Sequence, residues 1–164
     1  MNAEPDQHLY QLIRDFKVAM LVSHAAGGGL NARPLAVAEV AADGEIVFAT
    51  SIASPKVAEI AAEQRVLVTF QSGSAFAAVA GRARISRDRQ RLAALWSESW
   101  RMFYPGGIED PSLCLLEVTP SAAEYWDNSG MKGLKYLFKG AKAYLLGERL
   151  DTDQAHAHAK LDLT

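Results

Sequence analysis

A single cysteine, Cys114, leaves the chain unable to build an intramolecular disulfide framework or a zinc module that needs several thiolates. Long apolar runs are missing too: nothing approaches the roughly 18 uninterrupted apolar residues that mark a membrane-spanning helix. Nor is there a basic excess. Lysine and arginine number 17 against 19 aspartates and glutamates, a formal charge of −2, which argues against a dedicated nucleic-acid binder. The opening Met1-Asn2-Ala3-Glu4-Pro5-Asp6 lacks the basic flank and apolar stretch of a secretory signal, so the expected compartment is the cytoplasm. Repeats and low-complexity tracts are absent. What is present is 164 residues, 49% hydrophobic and 22% charged: the size of one domain, with apolar content sufficient for a core. Composition describes a soluble domain and is silent on chemistry.

The pattern along the chain is more specific. Leu9, Leu12, Ile13 and Phe16 follow the spacing of one helical face, predicting a helix over about residues 5–16. Short apolar runs at Val18–Val22, Arg33–Val40 and Ile46–Ala49 read as strands, joined through Gly27-Gly28-Gly29 and through Ala42-Asp43-Gly44-Glu45. The glycine triplet lacks both the Lys-Ser/Thr ending of a P-loop and a Gly-x-Gly-x-x-Gly spacing, so it reads as a hairpin. A second helix opens at Ser54-Pro55-Lys56. Arg65–Gln71 and Ala75–Ile85 are strands, Asp88–Trp96 a third helix, and Leu113–Val118 a strand that Pro120 is expected to break before Ala122–Trp126. Residues 131–146 read as a helix with Lys132, Lys135, Lys139 and Lys142 on a solvated face. The domain is placed at residues 1–146 and a C-terminal tail at 147–164. Strands that follow one another through tight turns favour a mainly β, antiparallel barrel with inserted helices over a parallel sheet.

Chemistry is concentrated in Phe48-Ala49-Thr50-Ser51-Ile52-Ala53-Ser54-Pro55-Lys56, where a strand ends in two hydroxyl residues and a helix starts three residues later. A first helical turn offers unpaired N–H groups and partial positive charge, which together suit an anion. Lys56 adds a full charge, and Thr50 and Ser51 add directional donors. The plainer alternative is that Ser54 only caps the helix while Lys56 is solvated. Arg33, entering an apolar run just before Pro34, requires an acceptor of its own, either a carboxylate in an ion pair or a bound anion.

Ala32-Arg33-Pro34-Leu35, then Phe48-x-Thr50 with Ser54-x-Lys56-Val57, then Val79-x-Gly81-x-Ala83, resembles the FMN-binding split barrels related to pyridoxamine 5′-phosphate oxidase. Leu95-Trp96, Phe103-Tyr104-Pro105-Gly106-Gly107, Asp110-Pro111, Leu115-Leu116-x-Val118 and Glu124-Tyr125-Trp126-Asp127 are similar to the bacterial general stress protein branch, as is the closing Ala159-Lys160-Leu161-Asp162-Leu163. The resemblance covers roughly residues 5–163. It implies an antiparallel six-stranded split barrel and a homodimer with FMN at the subunit interface. It also implies that Thr50, Ser51, Ser54 and Lys56 hold the FMN phosphate, and that Arg33 reaches the cofactor. Pro34 and Leu35 would run along the flavin ring, with Trp126 near the site; Phe76 occupies a position often aromatic in this branch.

Departures from the family pattern narrow the expected activity. Pyridoxamine 5′-phosphate oxidases carry a lysine five residues after the arginine, where this chain has Ala38. They also end in an Arg-Leu-His segment, where this chain has Arg149-Leu150-Asp151. Vitamin B6 oxidation is therefore not expected. The leading expectation is an FMN-dependent oxidoreductase of unknown substrate. The alternatives are a non-catalytic protein that stores or senses flavin, and a barrel that takes FAD, a deazaflavin or haem. His156 and His158, two apart, make a poor zinc site without a third ligand, so no metal is expected. His8 and His24 have no catalytic partner, and Cys114, between leucines, is expected to be a buried inert thiol.

Overall fold

The computed structural model describes residues 3–128 and 157–164. Helix α1 (Ala3–Arg14) leads into β1 (Val18–His24), β2 (Leu30–Val40) and β3 (Ile46–Ser51). Then come α2 (Pro55–Ala62), β4 (Arg65–Gln71), β5 (Ala75–Ser86) and α3 (Arg89–Leu95). Two 3₁₀ turns, Glu98–Met102 and Gly107–Glu109, precede β6 (Leu113–Asp127) and β7 (Ala157–Asp162). The ladders are antiparallel and run β3-β2-β1-β4-β5-β6, with β3 returning to pair with β6. Six strands thus close on themselves, as the turn pattern predicts. The cationic helix expected over residues 131–146 lies outside the described residues.

Local chemistry accounts for the hairpins. His24 pairs with Leu30 across the glycine triplet, and Ala25 N–H donates to Gly29 O at 2.8 Å, so that segment is a turn between strands. Gly44 has φ +87°, a conformation side chains avoid, and a Cβ there would also meet the Tyr10 ring at 2.3 Å. The Asp43-Gly44 signal is fulfilled for both reasons.

Pro120 does not end its strand. β6 runs through it for 15 residues. Its first half pairs with β3, from Val118↔Ile46 to Leu113↔Ser51, and its second half pairs with β7, from Ala122↔Asp162 to Asp127↔Ala157. Pro120 falls between these two partners, where one edge of β6 changes neighbour and a ladder donor is not needed. On the other edge the β5 ladder shifts register between Ala80 and Gly81, and Gly81 pairs with Pro120. This bulge absorbs the proline. The C-terminal segment, set apart as a tail in the sequence, contributes β7 to the sheet.

Two cores result. The barrel interior holds Leu21, Ile46, Phe48, Val68, Phe70, Val79, Leu116 and Val118, with Leu9 and Ile13 from α1 and Ile60 from α2. Burying each large side chain contributes roughly 1.5–3 kcal/mol. A second core forms outside the barrel, where Leu92, Tyr104 and partly buried Trp100 cover Val47, Leu113 and Leu115. It holds α3 and the first 3₁₀ turn against β3 and β6.

Among the described residues, none forms a comparable layer over the opposite outer face. Residues directly across an antiparallel ladder share a face. One row therefore reads Ala32, Val22, Leu67, Ala80, Ala122, and the next reads Pro34, Met20, Thr69, Ala78, Glu124. Phe76 and Trp126 stand side by side on the same face. Leu67 and Phe76, 36% and 40% exposed, are the large apolar side chains this face opens to solvent.

Gly81 is a steric requirement of the bulge, because a Cβ there would lie 2.3 Å from the Thr119 carbonyl oxygen. Gly81→Ala is expected to cost about 1–3 kcal/mol of stability in urea unfolding, as other overpacked sites do.

Candidate functional site

Beside the junction of β3 and α2 lies a cavity of about 430 Å³. Pro34, Leu35 and Ala36 of β2 form one wall, and Ala49, Thr50 and Ser51 of β3 form the floor. Ser54 and Lys56 stand at the start of α2, and Trp100, Phe103 and Tyr104 complete the lining. The cavity thus has a hydroxyl-and-ammonium end and an aromatic wall. Its size falls within the range of small-molecule sites.

The polar end differs from a simple helix cap. Ser54 occupies the N-cap position with extended backbone (φ −70°, ψ 138°), yet its hydroxyl caps no helical N–H. Instead it accepts from Lys56 Nζ at 2.5 Å, and Thr50 Oγ1 accepts from the same ammonium at 3.1 Å. Burial, reinforced by the nearby positive charge of Arg33, lowers the Lys56 pKa. No carboxylate among the described residues lies within ion-pair distance of Lys56. A part-buried cation held only by neutral hydroxyls favours the approach of an anion.

Arg33 is arranged differently. Its Nη2 lies 2.7 Å from Glu59 Oε2, and Nη1 donates to Ser23 Oγ at 2.5 Å. Ser23 donates in turn to Glu59 Oε2 at 2.6 Å, and Asn31 Nδ2 donates to Oε1 at 2.6 Å. The Ser23 hydroxyl chiefly, with Asn31 and Arg33, holds the Glu59 carboxyl below its ordinary pKa despite burial. Glu59 stands three residues after Lys56 on α2, so this network ties the helix to β1 and β2.

Of the residues marked by the sequence, Pro34, Leu35, Thr50, Ser51, Ser54 and Lys56 come together in one cavity. Arg33 lies behind it, engaged with Glu59. Trp126 stands on the same outer sheet face as Phe76 and stacks on His158 of β7, with ring centroids 5.2 Å apart and planes at 10°. Cys114 is fully buried, and burial pushes its thiol pKa up, in keeping with an inert role. The aromatic wall is the part the sequence did not mark. No periodic signal marked it, because Trp100 sits in the first 3₁₀ turn and Tyr104 lies beyond the end of that turn, tied back by its N–H donating to Trp100 O at 2.9 Å. Tyr104 is 9% exposed, and burial raises the pKa of its phenol.

Comparison with known proteins gives these features a family setting. Residues 4–151 match the family model described as pyridoxamine 5′-phosphate oxidase like. A protein assigned as general stress protein 26 from Jannaschia sp. CCS1 is 26% identical, with a TM-score of 0.77 over 98% of this chain and 99% of that one. The general stress FMN/FAD binding protein of Xanthomonas citri is 27% identical, with a TM-score of 0.67 over 79% of this chain and 92% of that one. A protein related to general stress protein 26 from Clostridium acetobutylicum shares the fold at 19% identity, with a TM-score of 0.68 over 77% and 91% of the two chains. Among curated proteins, none matches the sequence.

The Glu59 network has a defined pH signature. A carboxylate whose folded pKa is depressed contributes stability above its unfolded pKa and loses that contribution as pH falls through the folded one. Glu59→Gln is expected to lower Tm by roughly 2–6 °C at pH 7. In thermal scans the gap between variant and parent should close as pH falls below the ordinary carboxylate range.

Proposed function

The chain belongs to the pyridoxamine 5′-phosphate oxidase like family, and we propose that it is a general stress type flavoprotein binding FMN, with the phosphate at Thr50, Ser51, Ser54 and Lys56. The observation that carries this reading is Lys56, part-buried on two hydroxyls at the start of a helix. Pro34 and Leu35 face the aromatic wall across the same cavity, which suits a planar ring. The FMN/FAD binding of the Xanthomonas citri relative supports a flavin, and the single charged end favours the mononucleotide.

The functional unit in this proposal is a homodimer. Among the described residues nothing covers the rows of β2, β1, β4 and β5, which are apolar apart from Thr69, and Pro34 belongs both to that face and to the cavity lining. A second copy docked there would border the site. Trp126, on the same face, would then approach the flavin of the partner chain, while Arg33 would act from behind Lys56.

Bound FMN would supply hydride or electron transfer, which no side chain here provides. Among the described residues the titratable groups lining the cavity are Lys56 and Tyr104, so the share they give the protein is binding, orientation and exclusion of water. This lining suits an oxidoreductase that leaves proton handling to its cofactor. It suits a flavin store equally, and that is the second reading.

Lys56→Ala is expected to weaken FMN by about 10- to 100-fold in fluorescence-quenching titrations while changing riboflavin by less than about twofold. Equal losses would show that Lys56 does not meet the phosphate. Leu67→Glu should convert a dimer to monomers by light scattering on a sizing column; a monomeric parent protein would remove the interface proposal. Anaerobic mixing of the holoprotein with NADH or NADPH separates enzyme from store, since an enzyme's flavin bleaches within seconds to minutes and a store's persists.

A further inference from the structure

A second charged assembly lies on the outside of the barrel, away from the polar end of the cavity. Arg91 of α3 reaches three carboxylates on different segments: Glu45 Oε1 at 2.7 Å, Glu117 Oε1 at 2.8 Å and Glu39 Oε2 at 3.2 Å. Glu39 lies on β2, Glu45 just before β3, and Glu117 on β6, where its side chain is only 1% exposed. Arg84 of β5 adds its Nη2 at 2.5 Å from Glu117 Oε2, although that oxygen accepts no well-directed hydrogen bond, so the contact is ionic rather than directional. Burial opposes the Arg91 charge, but its bonds to Glu45 and Glu39 outweigh that and raise its pKa.

A carboxylate as enclosed as Glu117 is costly unless a cation meets it. The cluster is therefore specific about where α3 must sit. Asp88 fixes the start of that helix by accepting from the N–H groups of Gln90 and Arg91 at 2.9 and 3.1 Å. The next residue, Leu92, is fully buried in the second core beside Tyr104 and Trp100. Those aromatics line the cavity, so α3 carries the wall into place through one continuous packed layer.

We propose that the Arg91–Glu117 clasp positions the aromatic wall of the cavity, making both residues positioning residues for the flavin ring rather than for its phosphate. The inference rests on the flavin reading given above. It assigns the two halves of the site to separate supports. The Glu59 network holds the phosphate end, and the Arg91 clasp holds the ring end.

Riboflavin and FMN share a ring and differ in the phosphate, so paired titrations separate the two supports. Glu117→Gln keeps the shape, removes the charge, and leaves Arg91 with Glu39 and Glu45. Both ligands are expected to weaken by the same factor, roughly 3- to 30-fold, leaving their affinity ratio unchanged. Arg91→Lys keeps the charge but cannot span three carboxylates, and it should show the same equal loss if Glu117→Gln proves too unstable to purify. A general loss of structure would be visible as a lower Tm for the ligand-free protein. The clasp's role therefore also requires equal weakening at a temperature where the variant is fully folded. Unchanged affinities in a folded variant, or a loss confined to FMN, would overturn the proposal. A parent protein that binds neither ligand would instead overturn the flavin reading itself.

Discussion

The backbone ladder between β3 and β6 is the contact on which the remaining architecture depends. Its pairs run from Ile46↔Val118 to Ser51↔Leu113 and convert an open sheet into a ring without free edges at that seam. Closure places Thr50 opposite Cys114, at the level where the chain leaves β3 and turns into α2. The hydroxyls of Thr50 and Ser54 can then meet one ammonium. The same seam provides the outer surface, Val47, Leu113 and Leu115, on which the second core is built. Both ends of the cavity are therefore set by one ladder.

Polar networks add orientation to what the apolar cores hold together. The Ser23, Asn31, Arg33 and Glu59 group satisfies both carboxylate oxygens of Glu59 and links α2 to two strands. The Arg91 cluster does the same for α3 across three segments. Ion pairs of this kind contribute little net stability compared with apolar replacements, but they penalise misplacement strongly. In a small barrel, where helices are inserted into hairpin connections, that penalty selects one docking angle for each helix.

The polar end of the site was legible because its residues are neighbours in the chain. Thr50, Ser51, Ser54 and Lys56 span seven positions, so their convergence on one cavity needs little tertiary information, although the pattern alone fits an anion site and a plain helix cap equally. What the sequence left open was whether Ser54 caps the helix, a matter settled only by the competing Lys56 ammonium. The antiparallel barrel was legible from its turns. Pro120 misled because an interior proline normally stops a strand, whereas here it falls at a change of partner opposite a bulge. The aromatic wall was illegible for a different reason. Trp100, Phe103 and Tyr104 lie in the connection between α3 and β6, and tertiary packing, with Trp100 and Tyr104 beside Leu92 in the second core, sets them at the cavity. Arg33 carried two readings in the sequence, and the structure shows its carboxylate partner, Glu59.

The divided edge of β6 has a consequence for the order in which the molecule assembles. Its first half finds β3 with all the required residues lying before position 119, so the ring can close once that much chain is free to fold. Its second half, Ala122 to Asp127, waits for a partner about 30 to 40 residues further on. During synthesis the second half, Trp126 included, therefore keeps one open strand edge after the barrel is complete. Such edges recruit other strands. The late arrival of β7 makes this stretch the point at which a nascent chain is most vulnerable to mispairing, and the 2.8 Å hydrogen bond between Glu124 and His158 helps select the correct strand.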